Sequence, residues 1–304
     1  MWHCTGLRWR DDGPVWTWWL PGAAAGGAGG EARSSPLRLG GPLAFAVGPD
    51  AVRACLGVWR GGRWVPCPYG AELAPQARRD QCERCAALDR TYSVAADTKV
   101  DDPRAYAVYL AYFGPGRHKV GITAVERGAA RLREQAAVCF TFLGEGPLMT
   151  ARRTESILGS ALGLPDRVSS TAKRAARLAL PDAAARAAEL RALYDRVRDL
   201  LPDTLRPRPF EAVDQAVLFG LAPAAPRPTA EITALPRGAA LTATIRAVAG
   251  ADLYLSPADA PATTLLLDSR LAAGWPLLRP ATPTASGFPT TPVAPPMETP
   301  QSLF

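Results

Sequence analysis

The chain has 304 residues, 48% of them hydrophobic and 21% charged, with a formal net charge of +7 and a mean hydropathy of -0.03. That length suits two compact domains, or one with appendages, and the balance excludes a wholly disordered chain. It also excludes membrane-spanning helices, because no run approaches the ~20 apolar residues that a span needs.

From the N-terminus, the opening residues lack a basic start, an apolar stretch and a small-residue cleavage site, which predicts a cytoplasmic protein. The Gly/Ala/Ser-rich stretch from Pro21 to Pro36 reads as a flexible loop. Residues 37–68 read as β-rich, with short apolar runs at Leu43 to Val47 and Leu56 to Val65. Residues 104–164 alternate: two strands, a helix from Val125 to Ala136, a strand, then a helix from Thr150 to Leu162. Thr150 is the expected N-cap of that last helix, and Ile157, Leu158, Ala161 and Leu162 its apolar face. Residues 168–201 are helical with a break near Pro181, and Leu190, Leu193, Tyr194, Val197, Leu200 and Leu201 form one stripe. Pro223, Pro226 and Pro228 mark a linker before β-prone runs in 239–278, and from Arg279 the Pro/Thr-rich sequence predicts a disordered tail. The fold class is therefore α+β. Its expected regions are a β-rich, cysteine-bearing 1–100, an α/β module with a helical extension at 101–205, a β-rich 206–278 and the tail 279–304.

Charge is uneven along this order. Residues 101–200 hold 16 basic and 11 acidic groups, against 12 and 9 before them and 7 and 8 after them. A cationic middle suits either a solvated basic surface or an anionic partner, DNA or RNA, and with no apolar run long enough to span a bilayer no membrane partner is expected.

Four of the six cysteines cluster: Cys55, eleven residues, Cys67, fourteen residues, Cys82, two residues, Cys85. Two intervening residues let the Cys82 and Cys85 sulfurs bend round one ion. Folding Leu56 to Pro66 as a hairpin about Gly61-Gly62 sets Arg60 opposite Arg63 and Trp59 opposite Trp64, and brings Cys55 and Cys67 together at its open end. Four thiolates complete a closed tetrahedral Zn²⁺ site, whose role is structural because no position stays open. Cys139, beside Phe140 and Phe142, reads as plain core, and His3 and Cys4 stand too near the terminus to be favoured ligands.

In the middle region, Ala105 to Phe113, the turn Gly114-Pro115-Gly116 and Arg117 to Thr123 form a hairpin. Period-2 alternation puts Val108 and Leu110 on one face and Tyr109 on the other, with Lys119 and Gly121 sharing a face of the second strand. A glycine inside a strand marks close approach by a ligand or another backbone. Arg127 and Arg131, four apart, project from one helical face, while Glu155 lies outside the apolar face of the next helix.

Ala107-Val108-Tyr109, a turn, Lys119-Val120-Gly121-Ile122-Thr123, an arginine-bearing helix and then Glu155 resemble the GIY-YIG nuclease domain over about 60 residues. The whole chain resembles uncharacterised bacterial proteins that carry such a segment between β-rich flanks with a four-cysteine region. The first resemblance implies that Tyr109, with Lys119 in the place of the second triplet's tyrosine, assists activation of water. It implies that Arg131, or Arg127, steadies phosphate and that Glu155 holds one Mg²⁺ in a metal-dependent endonuclease. Ala107 stands where that family has its first glycine. Gly121, His118 and Arg127, with Arg60 and Arg63 of the cysteine hairpin, are the expected nucleic-acid contacts. The alternative is a zinc-stabilised binding module without hydrolysis, in which Trp59 and Trp64 stack on bases between arginines. A third reading is a scaffold whose cationic middle only solubilises it. No GxxxxGK[ST] loop, HExxH helix or GxSxG elbow is present to suggest other chemistry.

Overall fold

A computed structural model describes residues 1–21, 30–60, 63–92, 102–280 and 287–293. The N-terminus forms an antiparallel meander, β1 (His3–Arg10), β2 (Gly13–Pro21) and β3 (Gly30–Pro36). The loop expected from Pro21 to Pro36 is thus corrected at its end: residues 30–36 pair with β2 along its length, and the expectation for 22–29 lies outside the described residues. Trp9 and Trp16 anchor the meander to the core, Trp9 by donating its indole N–H to the Gly250 carbonyl at 2.9 Å.

β4 (Pro42–Val47) buries Leu43, Phe45 and Val47 by strict alternation. It does not stay with its chain neighbours. It pairs with β13 (Ala240–Ala249) in a seven-stranded sheet containing β14 (Asp252–Pro257), β15 (Leu265–Asp268), β12 (Ala230–Ile232), β16 (Leu277–Leu278) and β17 (Thr290–Pro292), so the two β-rich flanks share one sheet. β17 belongs to the tail that the sequence suggests is without structure. Phe288, buried against Phe45 at 5.6 Å between ring centroids, supplies the apolar anchor for it, while 281–286 and 294–304 lie outside the described residues.

Between β4 and the central module lie the short hairpin β5 (Val58–Arg60) and β6 (Arg63–Val65) and the helix α1 (Glu83–Tyr92). Arg53 ties this region to the large sheet. Its buried guanidinium donates to the carbonyls of Ala273 and Arg270 on one side and of Ala74 and Ala77 on the other.

The central sheet has β7 (Ala105–Gly114) in its middle, between β8 (Arg117–Ala124) and β9 (Cys139–Pro147), all antiparallel, with β10 (Arg206–Pro207) and β11 (Val213–Asp214) on the far side of β9. Val108, Leu110 and Tyr112 enter the main core, while Tyr109, Ala111 and Phe113 form a second cluster with Leu132, Ala137 and Phe140. Helices α3 (Leu148–Leu162), α4 (Ser170–Arg177) and α5 (Ala183–Val197) pack on this sheet.

Three local expectations are corrected here. The helix from Val125 to Ala136 is split into a 3-10 turn, Val125–Arg127, and the short α2 (Ala130–Glu134), because Gly128 takes a φ of 43° that ends the first turn. α3 begins at Leu148 behind an extended Pro147, so Thr150 lies inside it and not at its N-cap. Leu158 is buried as expected, but Ile157 is 56% exposed and Ala161 is also exposed, the buried stripe being Leu148, Ala151, Thr154 and Leu158. In α5 the stripe holds at Leu190, Tyr194 and Val197, with Leu200 exposed beyond its end.

α4 joins the central sheet to the large one through charge. Arg177 reaches Asp252 Oδ2 at 2.7 Å and Arg174 reaches Asp252 Oδ1 at 2.6 Å. Burial alone would raise the Asp252 carboxyl; the two guanidiniums outweigh it and hold the group below the usual carboxylate range.

Candidate functional site

Two groups of residues gather chemistry. The first is the cysteine set. The Sγ atoms of Cys55, Cys67, Cys82 and Cys85 all lie within 4.8 Å of one another, and that of Cys67 is 4.0 Å from that of Cys82. In a tetrahedral zinc–thiolate site the sulfurs stand about 3.8 Å apart, so these four fit a metal ion such as zinc. The strand register is the one expected of a two-residue turn between Arg60 and Arg63, Arg60 opposite Arg63 and Trp59 opposite Trp64. Gly57, at φ +74°, closes the knuckle: a Cβ there would fall 2.1 Å from the Val65 carbonyl oxygen.

Backbone N–H groups of Gly57 and Cys82 point at Cys55 Sγ from 3.4 and 3.1 Å, a setting suited to a thiolate. The Cys82 thiol is drawn down to about 7, first by a hydrogen bond from the Cys85 backbone, whereas burial pushes Cys55 and Cys85 up. Cys139 and Cys4 are buried elsewhere in the core. Trp64 packs on Trp19 of β2 at 4.4 Å between centroids, while the Arg60 and Arg63 side chains lie outside the described residues.

The second group is a cleft of about 1000 Å³ along β8, between the α2 turn and α3. Tyr109, Lys119, Arg127, Arg131 and Glu155 all line it, so residues from two strands, two turns of helix and α3 converge. Arg104, Arg152 and Asp166 complete its charged lining. Sequence reasoning passed over Arg104 and Asp166 because nothing in their local pattern distinguishes them from surface residues. Five basic and two acidic side chains line the cleft, with Arg104 paired to Asp102 and Glu126, and Arg127 and Arg131 to Glu134.

Tyr109 lies directly across from Gly121 in the β7–β8 ladder. An added Cβ on Gly121 would sit 2.3 Å from the Tyr109 ring and hydroxyl. The strand glycine therefore seats a side chain of its own chain, and Gly121 is covered by that ring, which corrects its expected role as a nucleic-acid contact. Tyr109 is 1% exposed, and its hydroxyl accepts a hydrogen bond from Gln135 Nε2 at 2.9 Å. Burial raises its pKa, so the hydroxyl stays protonated.

Lys119 and Glu155 face each other electrostatically. Burial lowers the Lys119 ammonium and raises the Glu155 carboxyl, and each opposes the shift of the other. Arg127 meets Glu134 Oε2 at 2.6 Å and Arg131 meets the same oxygen at 3.5 Å, so Arg127 is held the more closely.

His118 is corrected outright. It pairs with Tyr112, is 7% exposed, and lies on the opposite face from Lys119, 3.2 Å from Glu189 of α5. The strand period that brings Lys119 to the cleft turns its neighbour away from it.

The fold and these two sites define an α+β protein with a four-thiol cluster that could hold a metal ion and an arginine-rich cleft on a three-helix-flanked antiparallel sheet. Residues 58–277 match the family described as "Protein of unknown function (DUF2797)", and the chain belongs to that family. No curated protein and no solved structure matches it. Among the described residues, no helix is long and apolar enough to cross a membrane.

Proposed function

We propose that the β8–α3 cleft binds the phosphodiester backbone of DNA or RNA and that the protein is a metal-dependent endonuclease of GIY-YIG type. The observation that carries this is the convergence of Tyr109, Lys119, Arg131 and Glu155 on one concave surface rich in arginine. Support comes also from the sheet, whose first hairpin strand lies in the middle and whose glycine seats the tyrosine. In this reading Arg131 presents its planar fork to a phosphate, with Arg127 behind it on Glu134. The protonated Tyr109 hydroxyl donates to a phosphate oxygen, and Lys119 balances charge beside Glu155.

Glu155, with Asp166 lining the same cleft, offers the hard oxygen donors and open space that suit Mg²⁺, an ion that keeps most of its waters. Bound there, Mg²⁺ supplies charge stabilisation at a phosphoryl oxygen. The four-cysteine site, with zinc, has a structural part: it fixes the N-terminal region in a protein that works in the cytoplasm.

One observation favours a second reading, a zinc-stabilised nucleic-acid-binding module without hydrolysis. Glu155 is half-buried, its carboxyl is raised, and Lys119 already answers its charge. The two readings separate in one assay. With Mg²⁺ or Mn²⁺ the endonuclease cleaves a labelled DNA or RNA panel, Glu155→Gln abolishes cleavage with binding within about twofold, and Arg131→Ala weakens both. Salt-sensitive binding without cleavage selects the binding module, and absence of both refutes the proposal.

A further inference from the structure

The tyrosine in the cleft is not positioned by its own strand alone. Gln135 caps the C-terminal end of α2 with φ -82° and ψ -6°, and the next residue, Ala136, has φ 60°. A residue with a β-carbon enters that left-handed region at a cost, and such a cost persists where the surroundings over-determine the backbone. Here two hydrogen bonds and one packing contact do so. The N–H groups of Ala136 and Ala137 donate to the carbonyls of Arg133 and Leu132, each at 2.9 Å, closing the helix and turning the chain into β9. Ala136 is buried against Gly250 of the β13–β14 turn, where an added Cβ would fall 2.9 Å from its own.

From this fixed point Gln135 reaches two ways. Its side-chain Nε2 donates to the Tyr109 hydroxyl at 2.9 Å, and its backbone carbonyl accepts from Lys173 Nζ, also at 2.9 Å. Lys173 stands 4.1 Å from the centroid of the Phe113 ring, on the same sheet face as Tyr109. Its helix, α4, is pinned to the large sheet by Arg174 and Arg177 on Asp252.

A phenolic oxygen that accepts from an amide keeps its own proton for another acceptor. Among the described residues the Tyr109 hydroxyl donates to none, and it lines the cleft. We propose that Gln135 is a positioning residue: it occupies the acceptor side of the Tyr109 hydroxyl, so that the hydroxyl proton is directed to a phosphate oxygen in the cleft, and Lys173 holds Gln135 in that pose. The docking of α4 on the large sheet thereby becomes a condition for a competent cleft. The phosphate end of this proposal rests on the phosphodiester reading above; the Gln135–Tyr109–Lys173 linkage does not.

Two readouts test the two parts separately. The Raman Fermi doublet of tyrosine distinguishes a hydroxyl that accepts from one that donates, and subtracting the spectrum of Tyr109→Phe isolates Tyr109. Wild type shows an acceptor signature that gains donor character when a short single-stranded oligodeoxynucleotide is added. Gln135→Met loses the acceptor signature and weakens oligonucleotide binding about tenfold. Gln135→Glu, which places an acceptor there, shows a donor signature before any oligonucleotide is present. Lys173→Met weakens binding to a similar degree, with no further loss in the Gln135→Met/Lys173→Met double variant, as expected for residues acting as one unit. Unaltered circular dichroism confirms that the variants fold.

A doublet unchanged in both Gln135 variants overturns the positioning claim whether or not nucleic acid binds. A normal doublet response to the variants, with no oligonucleotide bound by wild type, overturns the phosphate end and leaves the linkage standing.

Discussion

Gly121→Ala puts the geometry of the cleft to a quantitative test. The added methyl would lie 2.3 Å from the Tyr109 ring and hydroxyl, well inside any real contact. Gly121 lies in a regular strand, so the new residue meets no adverse φ, and alanine over glycine gains roughly 0.5–1 kcal/mol from the unfolded chain. Against that, the ring must move. It is buried among Leu132, Ala137 and Phe140 and tethered by Gln135, so displacement costs about 1–3 kcal/mol of overpacking and about 1 kcal/mol for the lost hydrogen bond. The net destabilisation comes to roughly 1–3 kcal/mol. Urea denaturation followed by fluorescence gives the value, and the same substitution in a Tyr109→Ala background isolates its cause. Without the ring, Gly121→Ala should stabilise by roughly 0.5–1 kcal/mol, and the difference between backgrounds is a coupling of the size seen for side chains in contact. An equal cost in both backgrounds would refute the idea that the glycine exists to seat the tyrosine.

Other outcomes follow from the same structure. Purified protein should carry about one zinc equivalent, and Cys85→Ser should remove it and lower the melting temperature by roughly 6–12 °C, read by metal analysis and calorimetry. Asp252 is held below its unfolded pKa by Arg177 and Arg174 against burial, so its contribution to stability is full above about pH 4 and is lost as pH falls through the folded value. Asp252→Asn should therefore flatten the acid limb of the stability curve, and an unchanged limb would place acid sensitivity elsewhere. Arg177→Met, which leaves a buried carboxylate with one fewer partner, should cost about 3–5 kcal/mol in a denaturant titration.

Much of this was legible in the sequence where chemistry and local period coincide. The pairing of Val58–Arg60 with Arg63–Val65, the four cysteines and the Tyr109, Lys119 and Gly121 face are all short-range consequences of the local pattern, and the structure keeps them. What escaped is long-range. β4 pairs with β13 across nearly two hundred residues, a partnership that no local pattern encodes. Residues 30–36 form β3 despite weak strand propensity, because β2 offers an edge to pair with. His118, an expected nucleic-acid contact beside Lys119, lies on the face that α5 covers. Gln135 and Lys173 gave no signal, since their parts depend on a hydrogen bond 26 residues back and another 38 residues on.

The most direct measurement is the salt dependence of oligonucleotide binding by wild type and by the Arg127→Ala/Arg131→Ala double variant, followed by fluorescence anisotropy with Mg²⁺ omitted. If the cleft tracks phosphates, log affinity falls linearly with log salt, and the double variant loses affinity with a slope shallower by about 2. A wild type that binds nothing at low salt, or a slope indifferent to both arginines, would contradict it.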